Sequence, residues 1–70
     1  MIIYRIDGCN EDFRTLRNAK HHIYIAYTQE ERLRELKGAS ILKIVNDKIM
    51  TATPILLTND GYSFGKTYKI

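Results

Sequence analysis

Positive charge is concentrated at the predicted first helix and at the C-terminus. Arg14, Arg17 and Lys20 lie in a stretch without an acid, and His21 and His22 follow. Arg14, Arg17 and His21 are spaced three and four residues apart, which places them on one side of a helix. Cations near a helix start oppose its dipole, a mild cost that fits either an anion-binding face or a solvated one. An anionic partner such as nucleic acid is therefore one hypothesis for this face.

A second candidate for binding chemistry is an aromatic segment near the C-terminus. Gly61-Tyr62-Ser63-Phe64-Gly65 resembles the middle of the RNP1 strand of RNA-recognition motifs, although Asp60 stands where that family has a basic residue. The resemblance implies two rings on one strand face, spaced to stack on successive bases. The alternative is that one or both rings belong to the core. The nucleic-acid hypothesis combines these residues: Arg14, Arg17, Lys20, Tyr62, Phe64, Lys66 and Lys69.

Three other patterns that could carry chemistry lack the context they need. Gly65-Lys66-Thr67 has the end of a phosphate-binding P-loop, but only three residues follow Thr67, too few for the helix behind the loop. Cys9 with a histidine would need hydrogen-bond contact and a third group that orients the base. Two adjacent histidines and one cysteine match no zinc spacing. The sequence therefore predicts no enzyme, no metal site and no cofactor.

Length and composition narrow the class of protein. The chain has 70 residues, a net charge of +3 and one cysteine. A chain this short buries only about 60% of its unfolded surface, which favours a homodimer that buries more. A lone cysteine permits no internal disulfide and favours a reducing compartment. Because no signal peptide and no apolar run of membrane-spanning length is visible, we expect a cytoplasmic protein without a membrane partner.

The segment after Phe13 predicts a first helix. Thr15 is a suitable N-cap, because its hydroxyl can accept a backbone N–H that has no intrahelical partner. The apolar stripe of this helix follows at spacings of three and four: Leu16, Ala19, Ile23 and Ala26. Residues 23–27 also suit a strand, because Ile and Tyr favour strands, but the continuing stripe favours a helix.

A second helix is predicted directly after the first. Thr28 and Glu31 have the spacing of a capping box. Leu33 and Leu36 supply an apolar side, and Gly38 suits the left-handed residue that follows a helix end.

The next segment predicts a β-hairpin with a tight turn at Asn46-Asp47. A two-residue turn there places Ile44 opposite Ile49 and Lys43 opposite Met50. The returning strand is expected to end near Thr53.

The remaining elements are also strands and turns. Residues 2–6 alternate as a strand does, and Pro54 marks a strand end, an edge or a bend. Residues 55–57 form a short apolar strand, and Asp60-Gly61 predicts a type I′ turn before the aromatic segment. Gly65 allows a bulge or a close approach of another chain segment.

These elements predict one small α+β domain over residues 1–70. Their order is β-α-α-β-β-β, with an antiparallel sheet and both helices packed on one face. The first functional hypothesis is a non-enzymatic interaction or regulatory module that binds a protein partner or a second copy of itself. It predicts an exposed apolar patch or an open strand edge. The alternative, a nucleic-acid-binding protein, predicts that the basic helix and the aromatic strand share one side and that binding weakens with salt.

Overall fold

Strands with apolar side chains at alternate positions form one antiparallel sheet, and two short helices pack on one side of it. The computed structural model describes all residues, 1–70. The elements are β1 (Ile2–Ile6), β2 (Asp12–Phe13), α1 (Leu16–Ala26), α2 (Gln29–Glu35), β3 (Ser40–Val45), β4 (Lys48–Leu57), β5 (Tyr62–Phe64) and β6 (Tyr68–Lys69). The strand order is β2-β1-β3-β4-β5, and β6 pairs with β4. The predicted α+β fold is confirmed.

The first helix begins at the predicted cap. The Thr15 hydroxyl accepts a backbone N–H at 3.0 Å, and residues 23–26 are helical. Ala19 and Ile23 are completely buried, as the stripe predicted. Ala26 is exposed, because α1 ends there and Tyr27 has extended backbone.

The second helix has the predicted capping box. The Glu31 amide donates to the Thr28 hydroxyl at 3.1 Å, and the Thr28 amide donates to the Glu31 carboxylate at 2.9 Å. Gly38 has the expected left-handed backbone, with φ of +76°. Leu36 is buried but Leu33 is exposed, so only one of the predicted apolar pair faces the core. Within its own bounds α2 buries no residue.

Neither helix has the length and apolar character that crossing a membrane requires.

The core lies between the helices and the sheet. Ile6 of β1 pairs directly with Ile41 of β3, so both side chains are on the side that the helices cover. Each contributes about 2 kcal/mol by leaving water. The full cluster is Ile6, Ala19, Ile23, Leu36, Ala39, Ile41 and Ile55.

The hairpin of β3 and β4 has the predicted turn but a different register. Asn46 and Asp47 both have positive φ, 48° and 68°, as a type I′ turn requires. Ile44 pairs with Ile49 as predicted, but Lys43 pairs with Thr51 instead of Met50. Met50 is therefore an extra residue in a β-bulge, which shifts every later pair by one position.

The prediction that a strand ends near Thr53 is wrong, because β4 continues through Pro54 to Leu57. The Gly65 amide donates to the Pro54 carbonyl at 2.9 Å. In an antiparallel pair the return bond would run from a Pro54 N–H to the Gly65 carbonyl, but proline has no N–H. The pair therefore lacks one hydrogen bond, at the point where the chain leaves β5 toward β6. A side-chain carbon on Gly65 would lie 3.3 Å from the Pro54 ring, which confirms the predicted close approach.

The loop between β4 and β5 is closed by a threonine and not by the predicted type I′ turn. Neither Asp60 nor Gly61 has positive φ. The Thr58 amide donates to the Gly61 carbonyl at 2.9 Å, and the Thr58 hydroxyl accepts from the Gly61 amide at 3.0 Å. The hydroxyl thus replaces the backbone carbonyl as acceptor.

Candidate interaction surfaces

The side of the sheet opposite the helices is uncovered and apolar. Residues that pair directly across strands share a face, and Leu42 pairs with Ala52, Ala52 with Tyr68 and Ile44 with Ile49. Ile44 and Ala52 are buried, yet they lie outside the core cluster because neighbours on their own face cover them. We call the following residues the open face: Ile3, Leu42, Ile44, Ile49, Ala52, Leu56 and Tyr68.

Three large side chains of the open face are half exposed. Ile49, Leu56 and Tyr68 retain 45%, 48% and 53% of their accessible area. They belong to two neighbouring strands, β4 and β6. The exposed apolar surface therefore runs along β4 and onto the edge strand β6.

Among the strand positions of the open side, formal charge is limited to one neutral pair. Arg5 and Asp12 are cross-strand partners, and their side chains form an ion pair at 2.8 Å. Every other Asp, Glu, Lys or Arg belongs to a helix, a loop, a turn, or a strand position on the helix side. The strand positions of the open face are therefore neutral overall, and further formal charges lie only at its N-terminal margin, on the Met1 amino group, Arg14 and Asp47.

Two shallow grooves extend the open face toward the N-terminus. The first has a volume of about 270 Å³ and includes Ile3 and Ile44, and the second has about 300 Å³ and includes Ile3 and Arg14. Met1 lines both grooves, and its amino group donates to the Asn46 side chain at 2.7 Å. Their volumes lie at the lower limit of small-molecule pockets.

Part of the predicted nucleic-acid site comes together on the helix side. The Lys20 ammonium lies 4.8 Å from the centre of the Phe64 ring, so the basic helix and the aromatic strand share one side. Tyr62 and Phe64 form an edge-to-face pair with centres 5.7 Å apart, and both are half-buried against the core. The Arg32 guanidinium covers the Tyr62 ring at 4.5 Å. One face of each ring is thus already occupied by a cation.

The other predicted cations are dispersed. Arg14 precedes the helix and lies in a groove with Met1 and Ile2, so the predicted alignment with Arg17 and His21 along one helix side is wrong. Arg17 is exposed in the first turn of α1. Lys66 lies in the loop between β5 and β6, and Lys69 is in β6 opposite Thr51.

Two further lysines join this surface, and the sequence analysis did not include them. Lys43, Thr51 and Lys69 lie directly opposite one another across three strands, on the side that the helices occupy. In the next row Lys48 lies opposite Val45. The alternation of β3 is enough to predict that Lys43 lies on the helix side. Its cross-strand partner was not predictable, because the bulge in β4 changes the register. We call the following set the basic end: Arg14, Arg17, Lys43, Lys48 and Lys69.

A polar clasp from α2 ties three segments together. Arg32 donates to the carbonyls of Ile23 and Tyr24 at 3.1 and 3.0 Å, which caps the C-terminus of α1. Gln29 donates to the carbonyls of Thr58 at 2.8 Å and of Gly61 at 3.1 Å. Arg32 also donates to the Gln29 side chain at 3.2 Å. The role of Arg32 was not predicted from the sequence. The available signal was that α1 has no basic residue in its own last turn to bind its terminal carbonyls.

The histidine and cysteine positions form a small cluster beside α1. His22 packs between Phe13 and Tyr27, and its Nδ1 atom lies 3.7 Å from the Glu11 carboxylate. Burial, followed by the neighbouring Cys9 thiol, raises the pKa of the Tyr27 hydroxyl. Nowhere in the chain do three His, Cys, Asp or Glu side chains come together as metal ligands do.

Comparison of the chain with protein families, curated proteins and solved structures gives no match. The fold and its surfaces define the class of protein: a small α+β domain whose sheet carries apolar residues on both faces.

Proposed function

We propose that the protein is a non-enzymatic interaction module that forms a homodimer through the open face. The observation that carries the proposal is a sheet face that is apolar and uncovered and whose strand positions carry no net charge. An antiparallel sheet in a monomer commonly has one apolar face on the core and one polar face in water. A second apolar face is typical of a sheet that is covered by another layer.

The dimensions of the molecule allow an interface near the standard size on the sheet side. The accessible surface is 5065 Å², whereas a monomer of this mass typically exposes about 4,500 Å². The ten residues of β4 span about 33 Å, close to the longest dimension of 35 Å. The two longest dimensions of the molecule, 35 and 21 Å, limit one side of it to about 700 Å², against the roughly 800 Å² that each partner buries in a standard interface.

A second copy is a suitable occupant because the face is neutral. A two-fold axis brings the same patch of both subunits together, so a charged patch would repel itself. Here the net charge of +3 is carried by other surfaces, and Arg5 is neutralised by Asp12. Two such sheets would pack about 10 Å apart. A cytoplasmic location is part of the proposal and rests on the single free Cys9.

The test is the oligomeric state of two matched lysine variants. Leu56 is 48% exposed on the open face, and Leu33 is 40% exposed on α2, away from it. In the proposed dimer, Leu56→Lys places a charge inside the interface, whereas Leu33→Lys leaves the interface unchanged. In sedimentation equilibrium we expect wild type and Leu33→Lys at twice the 8.2 kDa chain mass and Leu56→Lys at the monomer mass.

Circular dichroism confirms that each variant is folded before its mass is compared. A wild-type protein that stays monomeric at the highest concentration would refute the proposal. So would a folded Leu56→Lys variant that remains dimeric.

A second candidate function is nucleic-acid binding from the helix side. The observation that favours it is the position of Lys20 over Phe64, which brings the basic helix to the aromatic strand. The open face is on the opposite side of the sheet, so the two functions are compatible in one molecule.

A further inference from the structure

We propose that the basic end binds the phosphate backbone of nucleic acid without reading its bases. This inference rests on the second candidate function and specifies its surface and its mode. It assigns Lys43 and Lys48 to the surface and moves the main contact away from the aromatic rings.

The strand register sets the spacing of the lysines. Lys43 and Lys69 are separated by one strand, which puts their backbones about 10 Å apart. Lys48 is a diagonal neighbour of Lys43, because its direct partner Val45 is two residues further along β3. Charges this close act together, since the screening length is about 10 Å in 0.1 M salt.

Charge is segregated along the long axis of the molecule. At the basic end five cations face a single acid, Asp47, in the turn. The opposite end holds five acids, Asp7 after β1, Asp60 in the β4–β5 loop and the three glutamates of α2, against the cations Arg32, Arg34 and Lys37, so it is net negative. The N-terminus of the 11-residue helix α1 also lies at the basic end and adds the positive end of its dipole. A polyanion is therefore attracted to one end of the protein.

The state of the rings argues for backbone contact. Lys20 covers Phe64 and Arg32 covers Tyr62, and the two rings meet edge to face. Each ring carries a cation on one face and is half-buried against the core, so little ring surface is left for a base, and Arg32 is held by two backbone carbonyls. Solvent-exposed lysines, by contrast, contact phosphates, and such contacts carry no sequence information.

The experiment measures binding to labelled oligonucleotides of about 16 nucleotides, single-stranded and duplex, by fluorescence anisotropy. Each is prepared in two unrelated sequences. Titrations cover roughly 25 to 200 mM KCl, because log affinity falls with log salt by about 0.9 per phosphate contact on duplex DNA. Wild type is compared with Lys48→Gln/Lys69→Gln at the basic end. The control is Arg34→Gln/Lys37→Gln at the other end, which removes the same charge.

We expect wild type to bind both sequences equally, with a salt slope of about −3 to −4 on duplex. The Lys48→Gln/Lys69→Gln variant should lose about tenfold or more in affinity at low salt, and its slope should shrink by about 1.8. The control variant should stay within about twofold of wild type, because its lost cations are remote from the phosphates.

Contrary outcomes separate the inference from the function on which it rests. Equal losses in both double variants would show an effect of net charge alone and overturn the inference. Binding that survives Lys48→Gln/Lys69→Gln but is lost in Phe64→Leu would keep nucleic-acid binding and refute backbone contact. No binding to any oligonucleotide at the lowest salt would refute both the inference and nucleic-acid binding. The same would follow if the protein bound vesicles of anionic lipid but no oligonucleotide.

Discussion

Removal of the Arg32 guanidinium group should destabilise the fold more than any other single change of a polar side chain. Arg32→Met keeps an apolar stem over Tyr62 and deletes every donor. The part-buried bond to Ile23 is worth about 1.5 kcal/mol, and the exposed bond to Tyr24 about 0.5 to 1. The cation above Tyr62 adds about 0.5 to 1 kcal/mol. The sum is about 3 kcal/mol.

That loss is large for a chain of 70 residues, whose total stability is expected to be about 3.5 to 10 kcal/mol. Urea unfolding followed by circular dichroism measures it at fixed protein concentration. With a slope near 1 kcal/mol per molar urea, the midpoint should fall by roughly 3 M. Arg32→Lys keeps one donor and should lose about half as much.

Arg34→Met is the matched control. Arg34 lies on the same helix, its side chain is 63% exposed, and its contact is Glu35 at 3.5 Å. It should change the unfolding free energy by less than about 0.5 kcal/mol. If Arg32→Met and Arg34→Met agree within that margin, the clasp contributes nothing and the reasoning fails.

Three further changes test local features. Asp47→Gly should stabilise the protein by about 0.5 to 1 kcal/mol in urea unfolding, because glycine adopts the observed φ of 68° without strain; an unchanged midpoint would contradict this. Gly65→Ala should cost about 1 kcal/mol, because the new carbon would press on the rigid Pro54 ring at 3.3 Å; a more stable variant would show that the ring yields. The bond from the Thr28 amide lowers the pKa of Glu31, so its stabilising effect is present above the unfolded-state pKa and is lost as pH falls through the folded-state value. Wild type should therefore lose more stability than Glu31→Gln between about pH 5 and pH 3, and parallel pH curves would exclude this role.

Features set by near neighbours in the chain were predictable from the sequence. The caps at Thr15 and Thr28 need only residues three positions away. The type I′ turn at Asn46-Asp47 and the close approach at Gly65 also follow from local residue types. These features were placed correctly because their partners lie within the same segment or the adjacent strand.

Features that depend on distant partners were not predictable. The Thr58 loop differs from the predicted turn because Gln29, 29 residues away, takes the Thr58 carbonyl. Strand β2 has two residues and exists only as a partner of β1. Alternation placed Tyr62 and Phe64 on one face, but which face the helices cover is decided by the whole fold. For the same reason the basic end could not be assembled from sequence spacing.

The lack of buried residues within α2 makes this helix a separate unit of native-state fluctuation. Its attachment depends on the polar clasp and on Leu36 just beyond its end, whereas α1 and β3 contribute completely buried isoleucines. Local opening needs little free energy where few apolar contacts must be broken. Amide protons of α2 therefore exchange with deuterium through brief partial unfolding, long before those of β3. Each such event also releases the end of α1 and the β4–β5 loop, so these three segments loosen together while the sheet stays intact.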